Sequence, residues 1–127
     1  MCRVISPTLD AYNRYVDHTG AVYDDNTGLL RITEEQYQKL QSLFLDIGGN
    51  TYELIPNAQI WPRALNKILV GGDANSTYLV IQDLGGSLPG MGFICGMTFL
   101  ERFYSVFDTG NGRVGLASTP FTNATIN

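Results

Sequence analysis

Asp108-Thr109-Gly110 is the stretch whose residue types best suit acid–base chemistry. It follows the apolar pair Val106-Phe107. Two carboxyl groups held close together cannot both ionise, so one can donate a proton while the other activates water. The same residues also suit a tight turn between two strands. We favour the turn, since a motif outside its structural context is only a hypothesis.

Gly110, Gly112 and Gly115 match by spacing the phosphate-binding fingerprint of dinucleotide-binding proteins. That fingerprint needs a helix N-terminus after the glycines to hold the pyrophosphate. Here the residues 114–117 instead have the pattern of a strand. A tight hairpin needs glycine for its positive φ angles. The sequence therefore predicts a hairpin at this point and no nucleotide cofactor.

Metal-binding residue types are present, but their spacing does not suit a metal site. Asp24, Asn26 and Glu35 occupy the first, third and twelfth positions of a calcium-loop spacing, but Leu29 stands where the loop requires glycine. His18 is the only histidine, and it has no second ligand nearby in the sequence. We expect no metal ion and no cofactor.

The stretch 93–118 has the clearest pattern of secondary structure in the chain. It predicts a strand over 93–95, a helix over 97–102, a strand over 104–107, a turn over 109–112 and a returning strand over 113–117. Because so many of its side chains are apolar, we expect this stretch to lie in the middle of the core.

The remaining sequence predicts further short strands and two more helices. Ser6 and Pro7 resemble the N-cap and first residue of a helix, and Thr33 begins a capping box. The strands are expected over 29–32, 43–47, 51–54 and 77–84, the last being the strongest pattern, and 119–127 is a polar tail with little to pack. The sum, roughly nine short strands and three short helices, predicts a mainly β fold.

The stretch 93–118 resembles the C-terminal end of the pepsin-like aspartic endopeptidases. The family pattern there is two apolar residues and Gly, a short helix with Phe and Leu, Tyr-x-Val-Phe-Asp, a turn, and Arg/Lys-Val-Gly-hydrophobic-Ala. The matching segments here are Ile94-Cys95-Gly96, Phe99–Tyr104, Val106–Asp108 and Arg113–Ala117. Upstream, 27–33, 40–44 and 57–66 look like the polyporopepsin-type fungal branch. The resemblance implies that 1–127 is an incomplete C-terminal lobe of the pepsin-like fold, with 119–127 as a flexible tail.

The resemblance also implies that this chain contains no catalytic residue. The family uses two aspartates, one from each lobe, and the second aspartate loop would lie immediately before Val4-Ile5-Ser6. The family pattern assigns Asp108 to the final hairpin, and Asn111 stands where Ser or Thr would support a catalytic carboxylate. Gly96, Asp108 and Gly115 are then structural positions.

Substrate-binding residues are expected from the same resemblance. Leu88, in the loop 85–92, and Ile94 look like parts of the wall that borders the substrate cleft. The expected partner is a peptide or protein substrate, once the missing lobe completes the cleft. Loss of neighbouring strands would leave unpaired edges, through which the chain could associate with itself.

Asn75 and Asn123 begin Asn-x-Ser/Thr sequences and are candidate glycosylation sites. The two cysteines, Cys2 and Cys95, are either two small buried hydrophobic residues or a disulfide pair. The disulfide common in the C-terminal lobe of the family closes a much shorter loop, so neither cysteine can be assigned to it.

Composition and charge exclude some classes of partner. The net charge is −4 and the pI is about 4.7, so a basic nucleic-acid-binding surface is not expected. No apolar run approaches the length that spans a membrane. The residues 1–7 lack the apolar segment of a signal peptide, whereas the family is extracellular or vacuolar, so the sequence leaves the cellular location open.

These expectations lead to one main hypothesis about function. The chain is a truncated pepsin-like endopeptidase lobe, inactive alone, whose parent enzymes hydrolyse peptide bonds at acid pH with two aspartates and an activated water. One alternative is a non-catalytic module that binds peptides or proteases. A second alternative is a homodimeric aspartic protease that uses Asp108 from each copy.

Overall fold

A computed structural model describes residues 5–83, 90 and 92–127. The strands are β1 (Ile5–Pro7), β2 (Val22–Asp24), β3 (Leu29–Ile32), β4 (Leu43–Ile47), β5 (Asn50–Leu54), β6 (Thr77–Tyr78), β7 (Phe93–Cys95), β8 (Phe103–Asp108) and β9 (Arg113–Ser118). The α-helices are α1 (Leu9–Thr19), α2 (Glu34–Gln38) and α3 (Met97–Leu100). Within the described ranges, no helix is long and apolar enough to cross a membrane.

In the described residues the strands form four small antiparallel sheets. These are β1–β7, β2–β3–β6, β4–β5 and β8–β9. Two single bridges involve the segment after β6: Ile5 of β1 pairs in parallel with Ile81, and Ile60 pairs antiparallel with Leu79. Long-range pairing around 77–81 therefore links the sheet β1–β7 to the sheet β2–β3–β6.

The core has two clusters of buried side chains that share the segment 77–81. Tyr78, Val80 and Ile81 belong to the larger cluster, and Leu79 belongs to the smaller one. Tyr52, Phe99 and Phe103 add edge-to-face and tilted ring contacts to the larger cluster, with centroids 4.8 to 6.4 Å apart. Such aromatic contacts add to the stabilisation from apolar burial.

The elements expected at the end of the chain are confirmed. β7, α3, β8 and β9 follow one another as the sequence pattern predicts. The capping box at α2 is also present: the hydroxyl oxygen of Thr33 accepts a bond from the Gln36 backbone N–H, and the Gln36 side chain accepts one from the Thr33 backbone N–H. The capping box and the hairpin β8–β9 are satisfied by residues close in sequence, whereas β7 pairs with the distant β1.

Four local predictions are wrong. Ser6 and Pro7 do not start a helix but belong to β1, because Ile5 pairs with β7 and its N–H bonds to the Val80 carbonyl oxygen. α1 begins only at Leu9, which is 51% exposed and does not join Tyr12 and Tyr15 against the core.

The strand predicted over 77–84 is regular only over β6. After Tyr78 the chain changes partners, to Ile60 at Leu79 and to Ile5 at Ile81. Its residues 77–81 are all buried, as a central segment should be.

The hairpin β8–β9 is not the middle of the core. Phe103 is buried, but Tyr104, Phe107 and Val114 are 60 to 65% exposed. The hairpin forms a two-stranded sheet whose far end extends beyond the core. The apolar composition of the hairpin therefore led to a wrong prediction of its burial.

The segment 119–127 is bound to the core, so the expectation that it has little to pack is wrong. Arg102, only 4% exposed, donates from Nη1 to the Ala124 carbonyl oxygen at 2.7 Å. The Thr122 hydroxyl donates to the Arg102 carbonyl oxygen at 2.6 Å and accepts from the Thr119 N–H at 2.8 Å. Asn127 and Asn57 exchange further bonds. A buried guanidinium requires such acceptors, and the carbonyl groups of this segment supply them.

We expect Thr122→Val to lower the free energy of unfolding by about 1–3 kcal/mol, because it leaves the buried Arg102 carbonyl and the half-buried Thr119 N–H without their partner. Urea unfolding followed by Trp61 fluorescence measures the change. Thr125→Val is the matched control, since Thr125 is exposed, and it should change stability by less than about 0.5 kcal/mol. Equal effects of the two substitutions would contradict an anchoring role for Thr122.

Candidate functional site

Asp108 lies at the far end of the final hairpin, where β8 meets the turn. Its carboxylate accepts from Arg113 Nε at 2.7 Å and from Asn111 Nδ2 at 2.8 Å, both on Oδ2. Asn111 also donates from its backbone N–H and from Nδ2 to Oδ1, at 3.2 and 3.1 Å. Among the described residues, every hydrogen-bond donor to this carboxylate comes from the same turn or from the strand that follows it.

These contacts stabilise the charged form of the carboxylate. The hydrogen bond from the Asn111 side chain, followed by that from Arg113, lowers the pKa of Asp108 below the ordinary value of an aspartate. A proton-sharing pair of carboxyl groups requires that one group hold its proton. The hydrogen bonds to Asp108 favour the charged form over the protonated form.

The glycines around Asp108 have the conformations of a hairpin. Gly112 has φ +61°, which favours glycine. A Cβ at Gly115 would lie 3.7 Å from Val106 Cβ on the paired strand. β9 follows these glycines, so the prediction of a hairpin in place of a nucleotide-binding turn is confirmed.

The candidate wall residue Ile94 lies in β7. It is half-buried and pairs with Ser6 of β1. Gly96 follows the strand and is buried, and its carbonyl oxygen accepts from the N–H groups of Phe99 and Leu100 in α3. Leu88, the other candidate wall residue, lies outside the described residues. The substrate-binding role of both residues stays a prediction.

The candidate residues for glycosylation and for a disulfide lie in separate parts of the chain. Asn75 is exposed in the turn before β6, and Asn123 is exposed within the bound segment 119–127. Cys95 is half-buried, and burial raises the pKa of its thiol. Cys2 lies outside the described residues, so the disulfide stays a prediction, as does glycosylation.

The calcium-loop residues serve other purposes. Asp24 accepts from the Asn26 N–H and from the Tyr78 hydroxyl, and Glu35 forms an ion pair with Lys39 at 2.6 Å. The carboxylate of Asp24 therefore belongs to a turn, and that of Glu35 belongs to an exposed ion pair between residues four positions apart. No cluster of three metal-ligating side chains occurs among the residues that are described.

Two buried polar groups were not indicated by the sequence. Arg102 is one, and Gln59 is the other: it is fully buried, accepts from the Tyr15 hydroxyl at 2.9 Å and donates to two backbone carbonyl oxygens. Their partners lie up to 45 residues away, so no local pattern could identify them.

Comparison with known proteins agrees with the geometry. A family model described as eukaryotic aspartyl protease matches residues 3–119. Polyporopepsin from Irpex lacteus is 61% identical over 119 residues, which is 93% of this chain and 35% of that protein. Cathepsin E from Rattus norvegicus is 41% identical over 71 residues, 56% of this chain and 17% of that protein.

The solved structures give the same result. The crystal structure of aspartic proteinase from Irpex lacteus superposes with a TM-score of 0.93 at 58% identity. The match covers 98% of this chain and 36% of that one, so the chain spans about a third of the length of these fungal relatives. The mainly β fold with a few short helices is therefore that of the aspartic proteinases, and the chain belongs to the eukaryotic aspartyl protease family.

Proposed function

We propose that this chain is part of the C-terminal lobe of a pepsin-like endopeptidase and that it does not hydrolyse peptide bonds on its own. The observation that carries the proposal is the state of Asp108. The carboxylate in the Asp-Thr-Gly sequence is held in its charged form by Asn111 and Arg113. A catalytic pair needs a second carboxyl group close enough to share a proton, and the described hydrogen-bond partners of the Asp108 side chain are instead the donors Asn111 and Arg113.

In this proposal, the chain supplies part of the wall of a substrate cleft. Ile94 lies in β7, which pairs with β1 and is followed directly by α3. The position of Ile94 is therefore set by its place between these two elements. The other lobe would supply one catalytic carboxyl group and the remainder of this lobe would supply the second, and the complete enzyme would cleave peptide bonds at acid pH. The partner is then a peptide or protein substrate bound in the completed cleft.

We expect the carboxyl group of Asp108 to titrate below the ordinary aspartate pKa of about 3.9. Because the folded pKa is lowered, the stabilisation is present above the unfolded value and is lost as the pH falls through the folded value. Nuclear magnetic resonance titration of the carboxyl carbon measures the midpoint. Replacing the two donors, in Asn111→Ala and Arg113→Gln, should raise the midpoint, and an unchanged midpoint in the double variant would contradict the assigned cause.

We expect no peptide hydrolysis by the 127-residue chain between pH 3 and 5. The assay uses an unfolded protein substrate with and without a transition-state inhibitor of aspartic proteases, and a complete fungal aspartic protease is the positive control. Asp108→Asn is the discriminating variant. Inhibitor-sensitive cleavage that disappears in Asp108→Asn would overturn the proposal in favour of the homodimeric protease. Saturable peptide binding without cleavage would favour the binding module.

We also propose that the chain associates with itself through the hairpin β8–β9. The hairpin is a two-stranded sheet, so each strand has an outer edge with no partner strand in the described residues. Tyr104 and Val106 share one face and are 65% and 48% exposed. Exposed strand edges beside apolar side chains favour pairing between chains.

We expect a concentration-dependent increase in molar mass by light scattering after size-exclusion chromatography. The double substitution Tyr104→Lys and Val106→Lys should shift the chain towards monomer, because it places two like charges on each joined face. Val22→Lys is the matched control, since Val22 is 62% exposed on β2, away from the hairpin. A monomer at all concentrations, or an equal response to the control, would refute the proposed surface.

A further inference from the structure

A cavity of about 350 Å³ lies behind β7. Its walls come from α1, the end of β1, β4, the segment after β6, and β7 itself. The side chains that matter most to the argument are Ala11, Tyr15, Leu45, Ile47, Ile81 and Phe93. Since the walls come from five separate parts of the chain, the cavity depends on the tertiary fold and not on a local motif.

This cavity is distinct from the proposed substrate wall. Phe93 lines the cavity, and Ile94 does not. Successive side chains of a strand point to opposite faces, so β7 presents Phe93 to the cavity and Ile94 to the other side. A ligand in the cavity would therefore lie behind the strand that carries Ile94.

The polar side chains of Tyr15 and Asp46, which line the cavity, are already hydrogen-bonded. The Tyr15 hydroxyl donates to Gln59 at 2.9 Å. Among the described lining residues, Asp46 is the one with a charged side chain; it is exposed, and its carboxylate accepts from the Thr51 hydroxyl at 2.6 Å. Leu45 and Ile47 flank Asp46 on β4 and point to the opposite face. The interior thus offers apolar contact and no unpaired charge.

We propose that this cavity is a binding site for a small, uncharged, apolar molecule of about the size of a two-ring aromatic. An apolar cavity of about 150 Å³ in a protein binds benzene, so a cavity of the present volume accommodates a larger ring system. Burying a charged group there would cost free energy without a partner to offset it. The ligand class is therefore neutral and apolar, with at most one weak hydrogen-bonding group.

The test uses indole as the probe and the 127-residue chain as the protein. We expect saturable binding with a dissociation constant on the order of 10⁻⁴ M, followed by methyl resonances in nuclear magnetic resonance spectra. The shifts should be concentrated on Leu45, Ile47 and Ile81. Indole-3-acetate and tryptamine share the ring but carry a charge, and each should bind at least about 10-fold more weakly.

A cavity-filling substitution makes the site assignment specific. Ala11→Leu adds three carbon atoms to the cavity wall and should weaken indole binding at least about 10-fold by occupying the space. Ala74→Leu makes the same change at an exposed residue of the turn before β6 and is the matched control. Unchanged binding in Ala11→Leu, or an equal loss in the control, would assign indole to another surface and overturn the proposal.

A measurement on the unsubstituted chain keeps the test independent of how the variants fold. Intermolecular nuclear Overhauser effects from indole protons should reach the side chains of Ile81 and Phe93. Binding that does not saturate, equal binding of the charged analogues, or contacts confined to β8–β9 would each count against the cavity as the site.

Discussion

The fold depends on the burial of one segment, Thr77–Ile81, whose backbone must find hydrogen-bond partners away from water. The N–H of Leu79 donates to the Leu30 carbonyl oxygen at 2.8 Å, and the carbonyl oxygen of Val80 accepts from the Ile5 N–H at 2.9 Å. A buried backbone group without a partner costs free energy comparable to a lost hydrogen bond. The segment therefore holds β3 on one side and β1 on the other, and β1 in turn fixes β7.

Local signals predicted the elements whose stabilising contacts lie within a few residues. The capping box at Thr33 and the final hairpin were predicted because their hydrogen bonds close over short distances in the chain. Ser6 and Pro7 show the opposite case, since pairing with β7, nearly 90 residues away, prevailed over a local helix signal. The buried Arg102 and the cavity behind β7 had no local signature, because their partners or walls come from distant segments.

Asp108 shows why residue type and spacing alone do not define a catalytic group. The sequence Asp-Thr-Gly is equally suited to a turn, and here the carboxylate closes that turn with Asn111 and Arg113. The two donors favour the charged form of the carboxylate over the protonated form. In the described residues the Asp108 side chain is therefore bound to donors of its own hairpin and not to a second carboxyl group.

Two apolar surfaces in the described part of the chain, the hairpin β8–β9 and the cavity behind β7, differ in shape, and shape determines what each can bind. The hairpin β8–β9 presents exposed side chains and free strand edges, and an extended backbone can pair with such an edge over several residues. The cavity behind β7 is concave and bounded by five segments, so it suits a molecule small enough to enter it. β4 contributes all five of its residues to the cavity wall and, in the described residues, pairs only with β5, so the volume and the apolar side chains of the cavity define its ligand. The hairpin therefore favours binding of another polypeptide, whereas the cavity favours a ligand that is small and uncharged.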